Sequence, residues 1–147
     1  MLGLWAVACS CAPVRFRRVG SASSATLFVD DDPDLLEVLR EALSFMDHGN
    51  CICAGSLAQV KEQRAAVLGC QLAVVDINLG YNQPSGLDVV DWLRGEGFRG
   101  QIVFLTGHAA DDPRVVAAVN VSGAELVSKP LELDELECLI DRAQVHA

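Results

Sequence analysis

Four short apolar runs in this sequence end in polar residues of the kinds that handle metal ions and phosphate. These residues are three consecutive acids, a lone acid, a hydroxyl and a lysine: Asp30-Asp31-Asp32, Asp76, Thr106 and Lys129. Short apolar runs are typical of buried strands, and the carboxyl ends of parallel strands line one crevice of a sheet. Carboxylates that crowd together repel one another unless a cation joins them. The pattern therefore predicts one pocket that binds a divalent metal and phosphate.

The acid cluster has two interpretations. Asp32 alone is enough to cap a helix, since Pro33 is suited to the first helical turn. Asp30 and Asp31 then add a repulsion that a cation relieves, which favours a metal site. Mg²⁺ fits such a site because it takes one or two carboxylates and completes its octahedral shell with water, carbonyl and phosphate oxygens.

Asp76 ends the most apolar run of the chain, where a buried carboxylate without a partner would be costly. Beside a metal, the same carboxylate can act as a nucleophile toward phosphorus and form an aspartyl phosphate. Phosphoryl transfer asks the protein mainly for position and charge neutralisation, which the hydroxyl of Thr106 and the charge of Lys129 can supply. A threonine or a lysine at a strand end is commonplace alone, so it is their joint placement that indicates a site.

The elements that must position these residues alternate along the chain from Ala25 onward. Strands are predicted at about residues 26–30, 51–54, 72–77, 102–105 and 125–128. The first two helices are predicted from Pro33 to Gly49-Asn50 and from Ser56 to Leu68. The third contains Leu87, Val90 and Leu93 and ends at Gly95, the fourth runs from Pro113 to Gly123, and the fifth starts after Pro130. Strands rich in Val, Ile and Leu favour a parallel sheet covered on both faces. Right-handed crossovers then give an α/β fold, a five-stranded, doubly wound (βα)5 sandwich of three layers.

Composition and charge limit the classes of function. The chain has 147 residues, of which 51% are hydrophobic and 21% charged, as in one globular domain. A net charge of −9 disfavours direct nucleic-acid binding, because a binding face must attract phosphates. The six cysteines lack zinc-ligand spacing, so we expect unpaired thiols in a reducing cytoplasm, with Cys51 and Cys53 buried or half-buried in a strand.

Residues 1–23 stand apart from this organisation. The apolar start at 1–9 is too short to span a bilayer, and no basic residue precedes it as in a signal peptide. The serine-rich stretch that follows is typical of a linker. We expect a disordered, dispensable extension at 1–23 without a membrane anchor, and one domain at 24–147.

Five motifs, in their order along the chain, resemble the signatures of the receiver domain of two-component response regulators. They are Leu-Phe-Val-Asp-Asp-Asp-Pro at 27–33, Val-Val-Asp-Ile-Asn-Leu at 74–79, Ser-Gly-Leu-Asp at 85–88, Ile-Val-Phe-Leu-Thr-Gly-His at 102–108 and Ser-Lys-Pro-Leu at 128–131. The resemblance covers about Ala25 to Val145 and implies the flavodoxin-like form of the doubly wound sandwich.

This resemblance assigns a metal site and a phosphoacceptor. It implies that Asp76 accepts the phosphoryl group and contacts Mg²⁺. It also implies that Asp31 binds Mg²⁺ directly, that Asp30 assists through water, and that the backbone carbonyl of Asn78 is a further ligand.

The resemblance also assigns the surroundings of the phosphoryl group. Thr106 is expected to be the switch hydroxyl, and Lys129 the cation that pairs with the phosphate. The Lys129-Pro130 bond is expected to be cis, as X-Pro bonds alone tolerate cheaply. Asn78 and His108 are expected to border the phosphoryl group and tune its lifetime.

Two regions depart from the family pattern. The loop from Asp76 to Gly86 is about two residues longer than the commonest form, and Gly80 replaces the usual proline. Leu126 stands where the family often has a Phe or Tyr that swings inward on activation.

The function implied by the resemblance is that of a stand-alone signalling module rather than an enzyme. Its phosphoryl donor would be a histidine kinase or a histidine phosphotransfer protein. Its output would pass by protein contact or onward phosphotransfer to a downstream protein that the sequence does not name. The sequence likewise leaves the oligomeric state open, and we expect neither nucleic acid nor a membrane as a partner.

Three other functions are compatible with parts of this pattern. A small Mg²⁺-dependent phosphatase with an aspartyl nucleophile usually needs a second acid two residues later, where this chain has Asn78. A receiver-like interaction module that is never phosphorylated would not need the intact set of Asp31, Asp76, Thr106 and Lys129. A nucleotide-binding domain would need a glycine-rich phosphate loop after the first strand, where acids stand instead.

Overall fold

The computed structural model describes residues 25–46, 50–107 and 111–145. Our expectations for residues 1–23 and for His108 lie outside this described part. The strands are β1 (Thr26–Val29), β2 (Cys51–Ala54), β3 (Leu72–Asp76), β4 (Gln101–Thr106) and β5 (Glu125–Ser128). The helices are α1 (Pro33–Phe45), α2 (Leu57–Glu62), α3 (Arg64–Leu68), α4 (Gly86–Gly95), α5 (Pro113–Ser122) and α6 (Leu133–Val145).

The five strands form one parallel sheet in the order β2-β1-β3-β4-β5. Val29 lies opposite Val75, and Asp76 lies opposite Leu105 one step further along. Thr106 lies opposite Ser128 at the end of β5. Because parallel strands in this register finish at the same edge, the polar residues that follow them are brought together there.

Alternate residues of each strand face opposite layers of helices, as the period of two requires. On one face, Phe28 and Val74 pack with buried leucines of α1 and α6. On the other, Leu27 and Val75 pack with buried residues of α2, α3 and α4. The doubly wound, three-layer α/β fold predicted from the strand and helix pattern is therefore confirmed.

Local sequence signals explain where the helices that follow β1 and β4 begin. The Asp32 carboxylate accepts hydrogen bonds from the backbone N–H groups of Asp34 at 3.0 Å and Leu35 at 3.3 Å, and Pro33 opens α1. Asp112 caps α5 in the same way, ahead of a second proline. The cap at Asp32 leaves its two acidic neighbours for another role.

The single helix predicted from Ser56 to Leu68 is wrong, because two short helices, α2 and α3, occupy that stretch. The break lies at Gln63, whose φ of −104° and ψ of 23° leave the helical region. Its side-chain amide donates to the carbonyl of Cys53 on β2 at 3.2 Å. This tertiary contact overrides a local pattern that would otherwise continue the helix.

Gly86 allows α4 to begin directly against the end of β3. Its N–H donates to the carbonyl of Ile77 at 2.8 Å. A Cβ atom at this position would overlap the carbonyl oxygen of Asp76 and lie 2.8 Å from the Cα of Ile77. Both atoms belong to the backbone, so they cannot move away through a change of side-chain rotamer.

We therefore expect Gly86→Ala to lower the free energy of unfolding by about 1–3 kcal/mol, the usual cost of overpacking. Gly95→Ala is the matched control, because a Cβ at that end of α4 would meet nothing within 4 Å. It should change stability by less than about 1 kcal/mol and in the stabilising direction. Urea unfolding of both variants checks this, and equal losses would contradict the close approach at Gly86.

Candidate functional site

A cleft of about 640 Å³ opens at the carboxyl edge of the sheet. It is lined by residues from the ends of β3, β4 and β5 and from the loops after β1 and β4: Asp31, Asp76, Ile77, Asn78, Thr106, Gly107, Asp112 and Lys129. Asp76 is 4% exposed and Thr106 is 2% exposed. The carboxylate of Asp76 therefore depends on protein groups, rather than bulk water, for much of its stabilisation.

The ammonium group of Lys129 joins two buried carboxylates. Its Nζ lies 2.7 Å from Oδ2 of Asp76 and 3.3 Å from Oδ2 of Asp30. The backbone holds the lysine in place, because its N–H donates to the carbonyl of Thr106 at 2.8 Å. The Lys129-Pro130 bond that follows is cis, which confirms that expectation.

Backbone donors fix the second oxygen of each of these carboxylates. Oδ1 of Asp30 accepts from the N–H of Asp32 at 3.0 Å, and Oδ1 of Asp76 accepts from the N–H of Asn78 at 3.1 Å. Each carboxylate is thus held between a lysine and a backbone amide. The shared ammonium orients both carboxylates but balances only one of their two negative charges.

Three carboxylates converge in this cluster, since one oxygen each of Asp30, Asp31 and Asp76 lies within 4.8 Å of the others. Asp31 is exposed, whereas the other two are buried. One lysine does not balance three acids, so the cluster keeps excess negative charge. Carboxylate oxygens that carry excess negative charge are suitable ligands for a divalent cation, and these three residues could hold one.

The excess negative charge also shifts the pKa values of Asp76 and Lys129. Burial raises the pKa of Asp76, and the charge of Asp30 raises it further, against an opposing hydrogen bond from Lys129. For Lys129, burial alone would lower the pKa, but the hydrogen bond and charge of Asp76, with those of Asp30, outweigh it and raise the pKa. The lysine is therefore firmly cationic, while Asp76 is held charged at some cost.

The loop after β3 explains one departure from the family pattern. Gly80 has a φ of +110°, a conformation that proline cannot adopt, and its N–H donates to the side-chain oxygen of Asn78 at 3.2 Å. A hypothetical Cβ of Gly80 would lie 3.8 Å from the Asp31 carboxylate. Leu126, the other departure, is half-buried and packs against the hydrophobic core on the face of the sheet that α4 covers.

The structure brings Asp30, Asp31, Asp76, Thr106 and Lys129 together as the sequence predicted. Asn78 lines the same cleft. His108 lies outside the described residues.

Sequence reasoning missed Asp112, which also lines the cleft. Its carboxylate accepts from the N–H of Arg114 at 2.9 Å and pairs with its guanidinium at 3.0 Å. An Asp before Pro113 marks the start of a helix in the sequence, but that signal does not show that the helix begins beside the cleft.

Residues 26–141 match the family model of the response regulator receiver domain. The chain belongs to this family. Receiver domains are the signalling domains of two-component response regulators, and the cleft described above lies at the carboxyl edge of a fold of that kind.

Curated relatives of this receiver domain are regulatory proteins. It is 32% identical over 120 residues to the photosynthetic apparatus regulatory protein RegA of Cereibacter sphaeroides, covering 78% of this chain and 60% of that protein. It is 30% identical over 114 residues to the transcriptional regulatory protein PmrA of Pectobacterium parmentieri, covering 78% and 49%. The chain thus spans about half the length of the curated relatives it matches.

Solved structures share the fold. The response regulator receiver domain protein of Clostridium thermocellum superposes with a TM-score of 0.70 at 21% identity, covering 84% of this chain and 95% of that one. The receiver domain of NtrX from Brucella abortus gives a TM-score of 0.68 at 22% identity, covering 83% and 99%. Within the part of this chain that the structure describes, every helix is too short or too polar to cross a membrane.

The raised pKa of Asp76 predicts how stability changes with pH. A carboxyl group whose pKa is higher in the folded than in the unfolded state stabilises the fold when it is protonated. This stabilisation is complete below the ordinary pKa of 3.8 and is lost as pH rises through the raised pKa of the folded state. We therefore expect the unfolding free energy of Asp76→Asn, relative to the parent, to increase across this window in metal-free buffer.

Urea unfolding at a series of pH values between about 4 and 8 measures this difference. Asp91→Asn, which removes an exposed acid of α4, is the control and should show a smaller trend. A difference for Asp76→Asn that stays constant or shrinks as pH rises would contradict the unbalanced charge at this site.

Proposed function

We propose that Asp76 of this receiver domain accepts a phosphoryl group from the phosphohistidine of a histidine kinase or histidine phosphotransfer protein, in a Mg²⁺-dependent reaction. One observation carries the proposal. The ammonium of Lys129 lies 2.7 Å from a buried, backbone-oriented Asp76 carboxylate in an open cleft that Asp31 also lines, and an oxygen of Asp30 lies within 4.8 Å of both acids. That is a nucleophile with a cation already placed for the group it would receive.

The transfer itself is a substitution at phosphorus. A carboxylate oxygen of Asp76 attacks the phosphorus atom, the bond from phosphorus to the donor imidazole nitrogen breaks, and the imidazole leaves after taking up a proton. The product is an aspartyl phosphate. The hydrogen bond from the N–H of Asn78 at 3.1 Å fixes the orientation of the attacking carboxylate.

Cations and donors around Asp76 would stabilise the transferred group. Lys129 would exchange its contact with the carboxylate for one with a phosphoryl oxygen, and the hydroxyl of Thr106 would donate to another. Asp31 would hold Mg²⁺ directly, with Asp30 and the carbonyl of Asn78 as further partners. The metal, when bound, neutralises charge on the phosphoryl oxygens.

The same residues argue against the competing functions. Position 78 carries an amide whose oxygen accepts from the N–H of Gly80, so it cannot serve as the general acid of an aspartyl phosphatase. A module that only binds partners would not need Asp76 buried against Lys129. We infer a signalling domain that assists its own phosphorylation and dephosphorylation rather than an enzyme acting on a separate substrate.

Partners and output follow from the chemistry of the site. The phosphorylated domain would signal by protein contact or by passing the group on, and a net charge of −9 disfavours nucleic acid as its own ligand. The stand-alone arrangement stays a prediction, because the curated relatives are about twice as long as the match. The tuning role of Asn78 and His108 stays a prediction as well.

Intact-mass measurement tests the acceptor. Incubation with acetyl phosphate and Mg²⁺ should add one phosphoryl group to the parent and to Asp91→Asn, and chelation of the metal should prevent it. Asp76→Asn should lose the adduct, because the nucleophilic oxygen is gone. An adduct of equal yield on Asp76→Asn would overturn the assignment.

A second prediction isolates the metal. A ligand that binds only the folded state stabilises it, by about 1.4 kcal/mol at ten times its Kd, which is a few degrees in thermal midpoint for a domain of this size. Mg²⁺ should raise the midpoint of the parent and of Asp32→Asn, because Asn caps a helix as well as Asp does. It should have little effect on Asp31→Asn.

Thermal unfolding with and without Mg²⁺ measures these shifts in the absence of any phosphoryl donor. Equal shifts for Asp31→Asn and Asp32→Asn would place the metal elsewhere. Because the readout is binding alone, this result stands or falls separately from phosphorylation.

A further inference from the structure

Cys51 and Cys53 lie on β2, which among the described strands pairs with β1 alone and so forms an edge of the sheet. Two residues apart in a strand, they point to the same face, toward α1. Both are half-buried, so part of each residue is in contact with solvent and small molecules can approach them. Neither residue takes part in the acidic cleft.

The two sulfur atoms are in contact. Their Sγ atoms lie 3.4 Å apart, within hydrogen-bonding distance for sulfur. As a thiol, Cys53 also donates to the carbonyl of Leu36 on α1, over a longer 3.8 Å. As a thiolate it would instead accept from Cys51, beside the guanidinium of Arg40.

The surroundings make the two thiols unequal. The hydrogen bond from Cys51 lowers the pKa of Cys53 to about 6, with a smaller lowering by the charge of Arg40 and an opposing effect of burial. The same hydrogen bond and burial raise the pKa of Cys51. One sulfur is therefore a nucleophile near neutral pH, and its neighbour holds the proton.

We propose that Cys51 and Cys53 form a redox site that a hydroperoxide converts into an intrachain disulfide. The Cys53 sulfur attacks a peroxide oxygen, and the O–O bond breaks. The sulfur, oxidised by two electrons, becomes a sulfenic acid. The other oxygen leaves as an alkoxide, or as hydroxide when the oxidant is hydrogen peroxide, and takes up a proton from solvent. The Cys51 sulfur then attacks Cys53, the S–O bond breaks, and the oxygen leaves as water with the Cys51 proton.

The position on an edge strand makes this disulfide accessible but labile. Residues two apart in a strand have Cα atoms about 6.4–6.8 Å apart, at the upper limit of about 6.8 Å for a disulfide. Closure must shorten the strand locally, which β2 can do because it has a neighbour on one side only. Strained disulfides are readily reduced by thiols, so the modification should be reversible.

Peptide mapping of the full-length protein tests the proposal directly. After treatment with hydrogen peroxide and alkylation, trypsin releases residues 41–61, which contain Cys51 and Cys53 and no other cysteine. This peptide should lose the mass of two hydrogen atoms and escape alkylation, and dithiothreitol should reverse both changes. Cys70, whose pKa burial raises to about 11, should remain alkylatable and serves as the internal control.

Single variants test the unequal roles. Cys51→Ser should stop at a sulfenic acid on Cys53, which a cyclic 1,3-dione traps, whereas Cys53→Ser should slow oxidation of the remaining Cys51 by about tenfold or more. Arg40→Gln should slow the parent reaction severalfold. The proposal is overturned if the cysteines of residues 41–61 stay fully alkylatable after a peroxide treatment that oxidises Cys70. It is also overturned if Cys53 of the parent is oxidised to sulfinic acid without forming a disulfide.

Discussion

A single ammonium set against three carboxylates is the interaction on which the functional edge of this molecule depends. Lys129 contacts Asp76 and Asp30, yet with Asp31 beside them the cluster stays negative. The imbalance opposes stability, because burial and a neighbouring acid raise the pKa of Asp76. It also prepares the site for a cation, and a lysine that already touches the nucleophile is placed to receive the charge of an incoming phosphoryl group.

The rest of the fold keeps these charges close. Residues that are far apart in sequence, such as Asp30 and Lys129, meet because parallel strands in register end at one edge. Two cores of apolar side chains hold the strands from both faces, and Gly86 lets α4 begin against the strand that presents Asp76. Rigid packing of this kind is what holds reactive groups within a fraction of an ångström of a useful position.

Much of this was predictable because strong local signals agreed with the global fold. Apolar runs located the strands, and Asp32 with Pro33 marked the start of α1, so Asp76, Thr106 and Lys129 could be assigned to one edge. The break at Gln63 could not be predicted, since it depends on a contact with β2. The place of Asp112 in the cleft depends on where α5 begins relative to the sheet, and the contact between Cys51 and Cys53 depends on side-chain rotamers. The spacing of apolar residues along the sequence predicts none of these three features.

We propose that Asp76, among all the acids gathered at this edge, is the group that bonds to phosphorus. Borohydride reduces an acyl phosphate to an alcohol and leaves free carboxylates untouched, so it marks the acceptor within the unaltered protein. After phosphorylation with Mg²⁺ and reduction, peptide sequencing by mass spectrometry should find homoserine at position 76. Homoserine at position 30 or 31 instead, with aspartate intact at 76, would contradict the account.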